Sequence, residues 1–418
     1  MEISQFVYSQ GFWGSEMWNA NTPTSEDCLY MNIWAPKDAR NATVMVWLYG
    51  GGFYYGSSSL AIYDALGLAA VGEVIVVNVN YRMGAFGFLF LDNEEVPGNM
   101  GMLDQQMALK WIKRNAAAFG GDPAKVCLFG ESAGAASIVA HMVAPSSGNL
   151  FKNGILQSGS LDNPWSMNTP RRALNKSMQL VEKVGCATND HGNIHQIAKC
   201  LRNLDAKTLR NELWSITTGF LEFPLVMVSK DKAGFFVDDA FEALRKGNFR
   251  HTDIMIGINA DEGVFWLVYY LKKYFSIKSP SLIDETKFSD CVEQAFGHLT
   301  GNQKRAVKFE YWDKRCSKDT TFYREAVNQM VGDYFFTCDS IWLGDEIVKR
   351  SKGSVYIYHF EQRSSNNPWP LWMGVMHGYE IEYVFGLPIV APANFTGAFE
   401  HNFSRDVIGY WKSFAETR

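Results

Sequence analysis

Residues 125 to 144, KVCLFGESAGAASIVAHMVA, constrain this chain more than any other stretch: an apolar strand-like run, a tight turn with Ser132 between Gly130 and Gly134, then a small-residue helical run. Glycine two residues either side of the serine leaves room in a turn so sharp that a Cβ would strike the neighbouring strand or helix. Strand, turn and helix together make a G-x-S-x-G match a nucleophile elbow, with the serine pushed out of the sheet. The pattern alone is weak in 418 residues containing 36 glycines, so the rest of the chain must supply the site.

Apolar, β-rich runs recur at TVMVWLY (43 to 49), EVIVVNVNY (73 to 81), KVCLF (125 to 129), GILQS (154 to 158), DIMIGIN (253 to 259) and VYIYHF (355 to 360). Helical stretches lie between them, including 102 to 119 and 324 to 350. Near-continuous apolar strands alternating with helices predict an α/β fold, a mostly parallel sheet covered on both faces. No repeat or linker divides the chain, and the interval from Ser160 to Arg250 reads as mixed helix and loop laid over the sheet.

Composition excludes several classes. A formal charge of −5 with scattered Lys and Arg argues against nucleic acid as a partner and mildly favours cationic ligands. No run of about 18 apolar residues reads as a membrane span, and the opening MEISQFVYSQGFWGSEMW is not read as a signal peptide. Seven cysteines include no C-x-x-C pair of the zinc-site kind, and neither metal nor cofactor is expected. Cys186 and Cys200 are spaced to close a short surface loop, and sequons stand at Asn41, Asn175, Asn394 and Asn402.

An activated serine needs a base, a carboxylate to orient the base, and donors where an oxyanion forms. After the strand TVMVWLY stands YGGGFYYG, where Gly51 and Gly52 offer bare backbone N–H groups, with Ala133 N–H as the third donor. DIMIGINADEGVFW puts Asp261 and Glu262 at the C-terminal end of a strand, and spacing does not choose between them. Among His298, His359, His377 and His401, His359 falls inside a strand-like run as a packed core histidine. His377, in the loop-like GVMHGYE, is the best base.

These segments resemble the type-B carboxylesterase and cholinesterase family. SEMWN (15 to 19), SEDCLYMNIW, YGGGFYYG, NYRMGAFGFL, GNMGMLDQQMALKWI, FGGDP, GESAG, NADEGVFW and WPLWMGVMHGYEIEYVFGLP (369 to 388) follow one another in family order over nearly the whole chain. The resemblance implies one α/β-hydrolase domain over 1 to 418, incomplete at both ends, with Ser132 as nucleophile, Glu262 as acid and His377 as general base. Gly51, Gly52 and Ala133 would be the oxyanion donors. It further implies a Cys186–Cys200 disulfide, an extracellular setting, and unpaired Cys28 and Cys338, whose usual partners lie in or at the edge of the family's flanking stretches. Any oligomer contact or membrane tether would belong to sequence beyond residue 418.

Substrate choice rests on aromatics, because a quaternary ammonium offers no hydrogen bond and is held by π faces. The resemblance assigns Trp18 and Phe265 to that cation, with Glu131 adding negative charge. Trp266 and Phe223 would wall a small acyl pocket, with Leu221 where a phenylalanine is common. Tyr54, Tyr63, Trp165, Trp369, Trp372 and Tyr269 would line the approach, Tyr54 and Tyr269 near its mouth, and the family's acidic mouth residue near position 6 is missing. The implied activity is hydrolysis of choline esters, acetylcholine first. A broad carboxylesterase is disfavoured by Trp18 and Phe265, and a neuroligin-like adhesion protein by the complete triad; an inactive fragment is the third alternative.

Overall fold

The computed structural model describes residues 12–187, 193–216, 218–312, 319–350 and 353–418, so the position near residue 6 lies outside it. Among the described residues nine strands form: β1 (Met31–Trp34), β2 (Ala42–Leu48), β3 (Ile75–Val79), β4 (Gly121–Glu131), β5 (Asn153–Gln157), β6 (Met167–Asn168), β7 (Met227–Val228), β8 (Ile254–Asn259) and β9 (Val355–Phe360). Seven of them make one sheet in the order β1-β3-β2-β4-β5-β8-β9, parallel throughout except where β1 runs antiparallel to β3. This is the α/β-hydrolase architecture, a mostly parallel sheet with helices around it.

Burial explains which runs were readable. β3 and β5 are buried at every residue and β2 at all but its first, as expected of strands covered on both faces. β9 differs. It is an edge strand with only Phe360 buried, and His359 faces out with Nδ1 3.1 Å from Glu361 Oε1. His359 is therefore not a packed core histidine, because β9 has a neighbour on one side only. The described residues of the Ser160 to Arg250 interval form helix and loop, with β6 and β7 as a small parallel pair.

The parallel strands gather their C-terminal ends at one edge of the sheet, where β/α folds build sites. β2 leads into Gly50–Gly52, β4 ends at Glu131, β5 at Gln157 and β8 at Asn259. The helix Ala133–Val143 after β4 is buried along its whole length. A polar chain locks it to the helix Met100–Asn115: His141 Nε2 meets Gln105 Oε1 at 3.1 Å, and Gln105 donates to Ser137 Oγ at 3.1 Å. Burial pushes His141 down to about 3, so it stays neutral and serves packing.

Candidate active site

Ser132 sits between β4 and the helix Ala133–Val143 at φ 56° and ψ −118°, a left-handed conformation that a residue with a Cβ adopts only under constraint. The constraint is visible on both sides. A Cβ on Gly134 would lie 1.8 Å from the Leu48 carbonyl oxygen, and one on Gly130 2.6 Å from the same atom. The Ser132 N–H donates to Gln157 O at 2.8 Å, which pins the turn to β5. Ala133 opens the helix, so its N–H belongs to the positive end of that helix dipole.

A narrow cavity opens over Ser132, lined by Gly50, Gly51, Gly52, Glu131 and His377 and by the rings of Trp18, Tyr55, Tyr63, Phe265 and Trp266. Gly51 and Gly52 line it, and Ala133 follows Ser132 directly as the first residue of the helix.

The two adjacent carboxylates separate cleanly. Glu262 is buried; its Oε2 accepts from His377 Nδ1 at 2.6 Å and its Oε1 accepts the Asn259 N–H at 2.7 Å. Asp261 turns to the backbone instead. Its Oδ2 accepts the Val375 N–H at 2.8 Å, its Oδ1 accepts from Asn328 at 2.8 Å, and its own N–H donates to Val375 O at 2.9 Å. Asn259 adds a bond to Met376 O at 2.8 Å. These contacts hold the loop carrying His377 against the end of β8, so Asp261 positions the loop that brings imidazole to Glu262.

The other face of His377 meets Glu131, with Nε2 3.0 Å from Oε1. The pair is not aligned as a hydrogen bond, and both atoms are buried without a hydrogen-bond partner among the described residues. Ser132 and Nε2 are therefore not bonded in this conformation, although they line one cavity; such contacts commonly tighten only when substrate is present. Burial pushes Glu131 up, with the nearby Glu380 and Glu262 adding to the rise and His377 opposing it. Burial lowers His377, but the charges of Glu131 and Glu262 outweigh it and hold the imidazole above its ordinary range. The two groups titrate together.

The aromatics differ in how they stand to this cavity. Trp18, Tyr63, Phe265 and Trp266 line the cavity. Phe223 stands behind it, where its ring would meet a Cβ on Gly52 at 2.7 Å, and Leu221 is buried nearby at φ 47°. Tyr54 is buried rather than near a mouth, because the rings of Tyr55, Trp214 and Phe223 enclose it at 4.7 to 5.2 Å. Tyr269 is half-buried, its ring 5.1 Å from Phe265 and its hydroxyl 3.3 Å from Ser15 Oγ. Trp369 packs against Phe265 at 5.6 Å, and Trp165 donates to Phe335 O at 2.8 Å. Trp372 does not line the cavity; it packs against Phe275 at 6.2 Å beneath the Arg324 guanidinium.

Three residues escaped sequence reasoning. Phe336 lies 4.4 Å from the His377 ring and stacks on Trp266 at 5.9 Å. Glu380 is buried, accepting from Gln157 at 2.9 Å and Asn259 at 2.7 Å beneath the loop. Tyr55 is the third. Away from the cavity, Cys186 and Cys200 form a disulfide, and Cys28 and Cys338 carry free thiols. Asn41, Asn175, Asn394 and Asn402 are all exposed.

Comparison with known proteins identifies the family of the chain. Residues 7–418 match the Carboxylesterase family. The chain is 51% identical to a protein named Acetylcholinesterase 4 of Caenorhabditis briggsae, over 98% of this chain and 70% of the relative. It is 44% identical to Cholinesterase of Mus musculus, over 97% and 67%, and 42% identical to Acetylcholinesterase of Bungarus fasciatus, over 97% and 66%. The chain thus spans about two thirds of the length of these relatives.

Proposed function

The chain belongs to the carboxylesterase family, and from that membership we propose that it is a serine esterase cleaving choline esters, acetylcholine first, through an acyl-enzyme on Ser132. His377 takes the Ser132 proton as the oxygen attacks the acetyl carbonyl, and Glu262 stabilises the imidazolium and fixes its tautomer through Nδ1. The N–H groups of Gly51, Gly52 and Ala133 receive the oxyanion. His377 then returns the proton to departing choline, and water repeats the sequence on the acyl-enzyme.

One observation carries the substrate: Trp18, Phe265 and Glu131 share a cavity with Ser132, so a cation can rest on indole and phenyl faces beside a carboxylate while its ester reaches the serine. Trp266 and Phe223 leave the acyl side short, which favours acetyl. We further read the protein as one α/β-hydrolase domain working outside the cell, a setting that suits the Cys186–Cys200 disulfide and the exposed sequons. The test is Trp18→Ala with two substrates, acetylcholine and the neutral ester in which carbon replaces the ammonium nitrogen. A cation–π contact of about 2 kcal/mol corresponds to a rise of roughly thirtyfold in KM for acetylcholine alone. Equal losses on both esters would reduce Trp18 to a packing residue.

A further inference from the structure

Among the rings around Ser132, Tyr55 is the one no motif assigned, and its backbone and ring are both clamped. Its N–H donates to Gly51 O at 3.2 Å, and its own carbonyl oxygen lies 2.2 Å from where a Cβ on Gly51 would stand. The tyrosine thus belongs to the same turn that presents the Gly51 N–H to the cavity. Its ring is held from behind by Tyr54 at 4.7 Å, which is itself wedged against Trp214 and Phe223. Only 9% of the residue is exposed, and its surface lines the cavity with Trp18, Glu131 and Phe265.

We propose that Tyr55 is a fixed wall of the ammonium subsite that sets the size of cation it accepts, admitting a trimethylammonium head and rejecting heads with longer alkyl arms. The proposal rests on the choline-ester reading above. A ring able to swing aside would select weakly, because its rotation costs less than a clash; a ring fastened at backbone and face yields little. Burial, with Glu131 and the phenols of Tyr269 and Tyr270 adding to it, pushes the Tyr55 hydroxyl far above its ordinary range. The phenol therefore stays neutral, and its contribution is shape and a π face rather than charge.

The experiment measures inhibition of neutral-ester hydrolysis by tetramethylammonium and by tetrapropylammonium, in the unaltered protein and in Tyr55→Phe, Tyr55→Leu and Tyr55→Ser. The ratio of the two inhibition constants is independent of how much turnover each variant keeps. Tyr55→Phe should hold the original ratio, Tyr55→Leu should relax it, and Tyr55→Ser should relax it by roughly tenfold, through tighter binding of the larger ion. Leucine provides a second reading if the serine variant does not fold. An unchanged ratio in the smaller variants, with tetramethylammonium still inhibiting, overturns the role of Tyr55 and leaves the choline site standing. No inhibition of the unaltered protein by tetramethylammonium overturns the choline-ester reading, and this proposal with it.

Discussion

A neighbouring pair of carboxylates, Asp261 and Glu262, shows how much one residue of register decides. Glu262 reaches His377 Nδ1, while Asp261 fastens the loop through Val375 and Asn328. Glu262→Gln should lower kcat by roughly 10³ to 10⁴, since an amide cannot stabilise the imidazolium. Asp261→Asn should cost about tenfold and lower the melting temperature; comparable losses in kcat would undo the division of labour. The Glu131 contact makes a second prediction. Catalysis needs neutral His377, so kcat/KM rises as pH climbs through the histidine pKa, and the anions of Glu131 and Glu262 hold that pKa high. Glu131→Gln removes one anion, which must lower the pKa and carry the rising limb toward acid by roughly one to two pH units. A limb that stays where it was in the unaltered protein would mean that Glu131 is neutral throughout or turned away.

The segment 324 to 350 reads as one helix, yet its middle departs from α geometry. An α-helix Thr320–Gly332 passes through a π-helical turn, Asp333–Thr337, into the helix Cys338–Arg350. A π turn widens the helix locally and shifts the direction of the side chains that follow, and such turns are frequent at functional sites. Here it carries Phe336 onto His377 and Trp266, while Trp165 and Asn163 hold its carbonyls at Phe335 and Phe336. On the proposed reading Phe336, through its contact with Trp266, would help wall the acyl side. Phe336→Ala should raise kcat/KM for butyrylcholine relative to acetylcholine by ten- to hundredfold, the range a few methylenes are worth in an apolar pocket. A ratio that does not move would make Phe336 a support for the imidazole alone. The same contrast explains what was legible. Six strands announced themselves through apolar β-rich runs, and the elbow through its glycines, because those signals are local. β1 pairs antiparallel at the sheet edge with only intermediate or exposed residues, so MNIW carries little pattern. Phe336, Tyr55 and the Asp261 contacts depend on which distant residues meet, and neither periodicity nor spacing encodes that.

Across the whole molecule, burial has raised several carboxyl groups, and this ties stability to pH on the alkaline side. Asp162 and Asp339 line one groove between the loop after β5 and the helix Cys338–Arg350; Asp239, Glu242 and Arg245 also face it. Glu242 is engaged by Arg245 and Lys246, and Asp239 caps its helix through the Glu242 N–H, so neither carboxylate is left to compete for a partner. Burial pushes Asp162 up to about 6; burial and the charge of Asp162 push Asp339 up to about 7. An acid whose folded pKa exceeds its unfolded value of about 3.9 binds more protons folded than unfolded between the two. The stability it contributes is present at the acid end of that window and is lost as pH rises through about 7. Asp339→Asn fixes the neutral form. Its melting temperature should match or fall slightly below the unaltered protein's at pH 5, where Asp339 is already protonated, and exceed it at pH 8, where the unaltered fold must hold a half-buried anion beside Asp162. Part of that gain comes from Asp162 itself, relieved of a like charge, so Asp162→Asn should reproduce the pH 8 gain. A difference of the same size at both pH values would show that Asp339 ionises as an ordinary surface aspartate, and that the groove carries none of the molecule's pH dependence.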